Sequence, residues 1–126
     1  MELPVHQGTW STDGRHVFGT ALNMKVRHPV YMFNMYGKKH EIIPAGSRAP
    51  VTHFEMHPSN GLLYFAHGDG SLYRSGDRIK TYNMKNGEIE IYIDRPGGAA
   101  NPTLSKDGKY LAYIHRDDRQ TVLVVR

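Results

Sequence analysis

Ser105-Lys106-Asp107-Gly108-Lys109-Tyr110-Leu111-Ala112-Tyr113 is the stretch that decides the fold. It joins a turn signature to a run in which aromatic and aliphatic residues follow at once. An Asx-Gly pair is the strongest short hairpin signal, because both central residues of a type I′ turn need positive φ. Upstream, Pro58-Ser59-Asn60-Gly61 leads into Leu62-Leu63-Tyr64-Phe65, and Ser11-Thr12-Asp13-Gly14 leads into His16-Val17-Phe18. The three Asx-Gly pairs are each 47 residues apart. Dipeptide, lead-in and following strand coincide three times, which is an internal repeat.

The second halves of the repeats also correspond. Val30-Tyr31-Met32-Phe33-Asn34-Met35-Tyr36-Gly37 matches Ile79-Lys80-Thr81-Tyr82-Asn83-Met84-Lys85-Asn86-Gly87, and each precedes another short strand, His40-Glu41-Ile42-Ile43 and Ile89-Glu90-Ile91-Tyr92-Ile93. One unit is therefore four short strands in ~40–50 residues, the size of a propeller blade. Helical repeats of that length would show a 3.6-residue period and fewer turns. The expected fold is all-β, a single partial β-propeller over residues 1–126. Its blades run over about 5–49, 50–97 and 98–126, and the last stops after its third strand. A shorter arc than ~4–8 blades leaves faces and an edge uncovered. Self-association or an upstream propeller segment is the expected remedy.

Composition narrows the setting. The chain has 126 residues, no cysteine and a net charge of +4. Disulfides are excluded and a reducing compartment is permitted. The start has no basic and apolar leader pattern, and no run reaches the ~18 apolar residues of a membrane span. A cytoplasmic protein with no membrane partner is expected. The basic charge suits an acidic oligosaccharide, or is simply a solvated surface. Nucleic acid is disfavoured, since the 16 Lys and Arg are dispersed and neither an arginine-rich arm nor an RNA-binding aromatic motif occurs.

The Ser-x-Asp-Gly turns followed by aromatic strands resemble the propeller repeats of TolB-like and prolyl-oligopeptidase-like proteins. A closer resemblance is to oligogalacturonate lyases, seven-bladed cytoplasmic propellers that split pectin fragments by β-elimination. It is carried by His6 leading into Trp10, by His53 one blade later, by Gly68-Asp69-Gly70-Ser71, by Tyr82-Asn83-Met84-Lys85-Asn86-Gly87, and by Asn101-Pro102 opening a blade. The resemblance implies that His6 is the general base and that His53 binds a divalent metal, usually Mn2+. The family's other metal ligands come from a Gln-x-x-His-x-His stretch. The matching residues here are Pro96, Gly97, Gly98, Ala99, Ala100 and Asn101, so Asn101 alone supplies a ligand atom there. Three of the four metal ligands are thus absent, which points to an impaired lyase.

The residues themselves leave two readings open. His6 and His53 are 47 apart, with Ala100 as the third equivalent, so both imidazoles are placed toward the channel or are satisfied turn histidines. Arg48 and Arg95, at blade junctions, are candidates to hold sugar carboxylates through bidentate pairs. His57 is placed at the position of Trp10 and Leu104, as core or channel lining. His67-Gly68-Asp69-Gly70 and Asp117-Asp118 read as surface turns, Ser11 and Ser105 as turn residues, and Met24, Met32, Met35, Met56 and Met84 as packing between blades. The chain is either a uronate lyase or its remnant, or a non-catalytic propeller scaffold that binds a sugar or protein.

Overall fold

A computed structural model describes residues 7–20, 29–43, 51–68, 77–116 and 120–126. His6, Arg48, Asp69, Gly70, Met24 and the Asp117-Asp118 turn lie outside them. Eleven strands are present: β1 (Gln7–Trp10), β2 (His16–Thr20), β3 (Val30–Asn34), β4 (Lys39–Ile43), β5 (Thr52–Met56), β6 (Leu62–His67), β7 (Arg78–Asn83), β8 (Ile89–Ile93), β9 (Ala99–Leu104), β10 (Leu111–Arg116) and β11 (Thr121–Val125). They form two four-stranded sheets in the orders β1-β2-β3-β4 and β5-β6-β7-β8, and a three-stranded sheet β9-β10-β11. All pairings are antiparallel between sequence neighbours. Short strands with alternating apolar residues and tight turns leave the chain no other local option. The arc of two complete blades and one three-stranded blade matches the repeat.

The core lies between blades, because each sheet buries apolar side chains on the face that meets its neighbour. Phe18, Val30 and Ile42 of the first blade pack on Val51, Leu63, Phe65 and Tyr82 around the second. Tyr64, Ile79 and Ile93 of the second pack on Ala99, Leu111 and Tyr113 of the third. The second blade is thus covered on both faces. Polar bonds tie the blades at the same seams: Thr20 Oγ1 donates to the Val51 carbonyl at 3.5 Å and Leu104 N–H to Glu55 Oε1 at 3.4 Å. Ala99 N–H donates to the Asp77 carbonyl at 3.0 Å.

The Asx-Gly turns differ from the two-residue type I′ form. Only the glycines take positive φ, at 70° for Gly14, 75° for Gly61 and 76° for Gly108, while the Asx residues do not. The loops are four residues wide, closed by Ser11 N–H on the His16 carbonyl, His57 N–H on Leu62 and Ser105 N–H on Tyr110. Instead of adopting positive φ, each Asx accepts a backbone N–H two residues on: Asp13 from Arg15, Asn60 from Leu62 and Asp107 from Lys109. The side chain replaces the backbone strain with an Asx turn.

These closures also reposition His57. It occupies the place of Ser11 and Ser105, not that of Trp10 and Leu104, because Trp10, Met56 and Leu104 are the residues paired with Val17, Leu63 and Leu111. Ser11 Oγ accepts His16 N–H and Ser105 Oγ accepts Tyr110 N–H, capping their turns. In the second blade His57 Nδ1 accepts Ser59 and Asn60 N–H at 3.0 Å instead. Nδ1 is therefore unprotonated, and Nε2–H donates across to the Gly108 carbonyl at 3.1 Å. Thr12 Oγ1 donates to the His57 carbonyl at 2.6 Å, so the three turns are linked in series.

Candidate functional site

Of the sequence's candidate residues, His53 stands on the inner strand β5 and Asn101 on the inner strand β9, and both strands are bulged. On β5, Thr52 pairs with Ala66 and Glu55 with Tyr64, so His53 and Phe54 together oppose Phe65. On β9, Ala100 pairs with Ile114 and Thr103 with Ala112, so Asn101 and Pro102 oppose Tyr113. β1 is regular from Gln7 on Thr20 to Trp10 on Val17. His53 therefore corresponds to Asn101 and not to Ala100, and Gln7 takes the place of Thr52 and Ala100. The extra residue of each bulge has no counterpart in β1.

Both extra residues sit in the left-handed region. His53 has φ of 56° and Asn101 of 53°, the only non-glycine residues with positive φ among those described. Asn and His are among the residues that tolerate this region best, though glycine would adopt it without strain. The next residue of each bulge turns to the core: Phe54 rests on Phe65 with ring centroids 6.4 Å apart, and Pro102 is fully buried. His53 is exposed and Asn101 half-buried. Both residues also have interactions within the chain. A bulge that re-aims one polar side chain while its neighbour anchors the core is a common device beside binding sites.

The remaining candidates divide. Arg95 is tied down: its Nη1 donates to the Tyr113 hydroxyl at 3.1 Å, bracing the second blade against the third. His115 Nδ1, buried, donates to the Gly98 carbonyl at 2.9 Å and fixes the entry to β9. Manganese, implied by the lyase resemblance, does not fit the donors present. No group of three or more His, Cys, Asp and Glu gathers among the described residues. One imidazole and one amide oxygen fall short of a selective divalent site.

Sequence reasoning missed the pair formed by His67 and Lys80. Lys80 Nζ donates to His67 Nδ1 at 3.0 Å across β6 and β7. Burial, aided by the Lys80 charge, pulls the His67 imidazole down to about 4. Burial and the nearby Arg78 cation lower Lys80 as well. Arg78 itself bridges to Asp94 at 3.1 Å. Nothing in the repeat marks this pair, because His67 and Lys80 reach each other only through the β6–β7 register.

An open groove of about 530 Å³ lies between the first two blades at the turn end, lined by Thr12, His16, Met56, Pro58, Met84 and Lys85 among others. It exists because His16 stands where the next blade has Leu62. Leu62 and Leu104 pack together on the second inter-blade core, whereas His16 and Met56 leave the corresponding space open. His16 Nδ1 is buried with no hydrogen-bond partner among the described residues.

The whole arc superposes on solved propellers. TolB from Acinetobacter baumannii matches 98% of the chain with a TM-score of 0.74 at 20% identity, over 30% of that protein. The fold is that of a TolB-like β-propeller. A TolB-type protein of Agrobacterium tumefaciens matches equally well, with a TM-score of 0.74 at 15% identity over 98% of this chain and 46% of that one. The tricorn protease follows at 0.68 and 19% identity, over 97% of this chain and 12% of that one. Among curated sequences, the SAGA complex subunit Spt8 of Schizosaccharomyces pombe is 36% identical over 58 residues, 43% of this chain and 11% of that protein. No protein-family model matches. In each of these pairs the chain spans less than half of the protein it matches. At these identities the structural likenesses establish the fold and leave function to the residues.

Proposed function

We propose that the chain is a non-catalytic β-propeller module whose inner strands hold a polar ligand between adjacent blades. The observation that carries this reading is the pair of equivalent bulges at His53 and Asn101. At a backbone position that glycine fills without strain, both blades keep a planar side chain bearing donor and acceptor. A strained, non-glycine conformation repeated at one site is a reason to look for a ligand. The short donor set argues against a metal-assisted elimination, which needs charge on the substrate carboxylate to stabilise the developing carbanion. His6 and Arg48 remain candidates for contacts to an acidic sugar in that channel.

Calorimetry with trigalacturonate, with and without manganese, tests the proposal together with the ultraviolet absorbance of the unsaturated product. The expected result is metal-independent binding and no product. Binding should weaken at least tenfold in His53→Gly and Asn101→Gly, while both variants melt no lower than the parent. Unchanged binding in the glycine variants overturns the site. A manganese-dependent rise in absorbance, lost in His53→Ala, restores the lyase.

A further inference from the structure

We infer that the groove between the first two blades is a binding site for a short apolar peptide with both ends free, of about dipeptide size. This site is separate from the inner-strand bulges, since neither His53 nor Asn101 lines the groove. The two seams of the molecule differ at their turn ends. At the second seam Leu62 and Leu104 pack on one inter-blade core. Leu62 pairs with Asn83 as His16 pairs with Asn34, and Leu104 pairs with Leu111 as Met56 pairs with Leu63. At the first seam the same two positions therefore hold His16 and Met56, and about 530 Å³ stays open beside them. Sites for small ligands span roughly 300–1,000 Å³.

The lining is apolar at its base and charged on both sides. Met56 and Met84 rest on the first inter-blade core and, with Pro58, supply the apolar surface. Methionine is unbranched and polarisable, so it adapts to side chains of different shape. Two opposite charges line the same groove from opposite blades: Asp13 in the β1–β2 turn and Lys85 in the β7–β8 turn. They do not bridge each other. The Ser11 hydroxyl and the Arg15 N–H hold the Asp13 carboxyl below the usual carboxylate range, so it is ionised at neutral pH. Both bonds fall on Oδ1, which leaves Oδ2 for an ammonium. His16 adds a donor. Its Nδ1 is buried with no partner among the described residues. An unmet buried acceptor is tolerated better than an unmet N–H, so the ring hydrogen sits on Nε2.

Charge complementarity selects the occupant. A fatty acid or a phosphate would meet Lys85 but be repelled by Asp13, and a simple amine would do the reverse. A short peptide with free ends answers every lining group. Its ammonium meets Asp13, its carboxylate Lys85 and its internal carbonyl the His16 Nε2–H, while its apolar side chains cover Met56, Met84 and Pro58.

Calorimetry of the intact chain with leucylleucine, beside its N-acetyl and C-terminal amide forms, tests the assignment. The free dipeptide should bind, and each blocked form should bind about fivefold more weakly, the size of one exposed ion pair. Lys85→Gln should then bind the free dipeptide and its amide equally, and Asp13→Asn the free dipeptide and its acetyl form equally. Asn60 makes the same turn bond in the second blade, so Asp13→Asn keeps its turn. His16→Leu gives the first seam the residue of the second, and should abolish binding while melting no lower than the parent. Should that variant melt lower, the Lys85 and Asp13 comparisons decide alone, because both side chains are exposed. Equal binding of all three forms by the parent overturns recognition of the two ends. Undiminished binding in a folded His16→Leu variant places the peptide outside the groove and overturns the site. So does the absence of leucylleucine binding to the parent chain.

Discussion

Gly108 holds φ of 76° while its carbonyl accepts the His57 ring from the neighbouring blade. A Cβ there would lie 2.5 Å from His57 Nε2 and 3.0 Å from Pro58 Cδ, whereas at Gly14 and Gly61 it would meet nothing within 4 Å. All three glycines carry the left-handed strain of an alanine, but only Gly108 adds a clash at the seam. Gly14→Ala and Gly61→Ala should each cost about 1 kcal/mol, and Gly108→Ala about 2–4 kcal/mol, by denaturant unfolding. His57→Ala should relieve part of the Gly108→Ala penalty, giving a non-additive double-mutant cycle. Equal penalties at the three glycines would show that the seam contact contributes nothing. The sequence announced these glycines through the Asx-Gly pairs, but not the seam. The constant 47-residue spacing hid that Ser11, His57 and Ser105 are 46 and then 48 apart, since the second turn carries its glycine one residue later.

Between elements, register decides what composition cannot. The constant spacing of the glycines misplaced the bulged residues of β5 and β9 by one, because the second turn carries its glycine one residue later: His53 lies eight residues before Gly61 and Asn101 seven before Gly108. His53 was consequently aligned with Ala100 when its partner is Asn101. The same dependence on register creates the His67–Lys80 pair, and with it a pH effect. Burial and the Lys80 charge hold the folded-state His67 near 4, below its ordinary 6.5. Between those values the unfolded chain binds the proton and the folded chain does not. The stabilisation is therefore complete above pH ~6.5 and is lost as the pH falls through about 4. The expected loss is about 1–2 kcal/mol, reduced by the water that still reaches the ring. Urea unfolding at pH 7, 5.5 and 4.5 measures it, and His67→Asn should remove this part of the slope. A slope unchanged in that variant assigns the acid sensitivity to other groups.

At the scale of the whole molecule, stability is distributed by how many faces each blade has covered. The second blade is sandwiched, so β6 and β7 carry residues of both inter-blade cores, among them Leu63, Phe65, Ile79 and Tyr82. The third blade lends one face to a core while Leu123 and Val125 on its other face are exposed, whereas on the outer face of the first blade Phe33 is buried. The repeat predicted this arc, because blade count follows from spacing alone. The exposure of Leu123 and Val125 was not legible, since they look like any alternating strand residue until their buried equivalents Ile79 and Thr81 are known. Local opening is governed by the apolar contacts that must be broken. Amide exchange should be slowest in β6 and β7 and fastest in β11, whose outer edge has no neighbouring strand among the described residues. Equal protection across the three blades would mean that blade faces contribute little to stability. The cores between blades would then not be what holds the arc together.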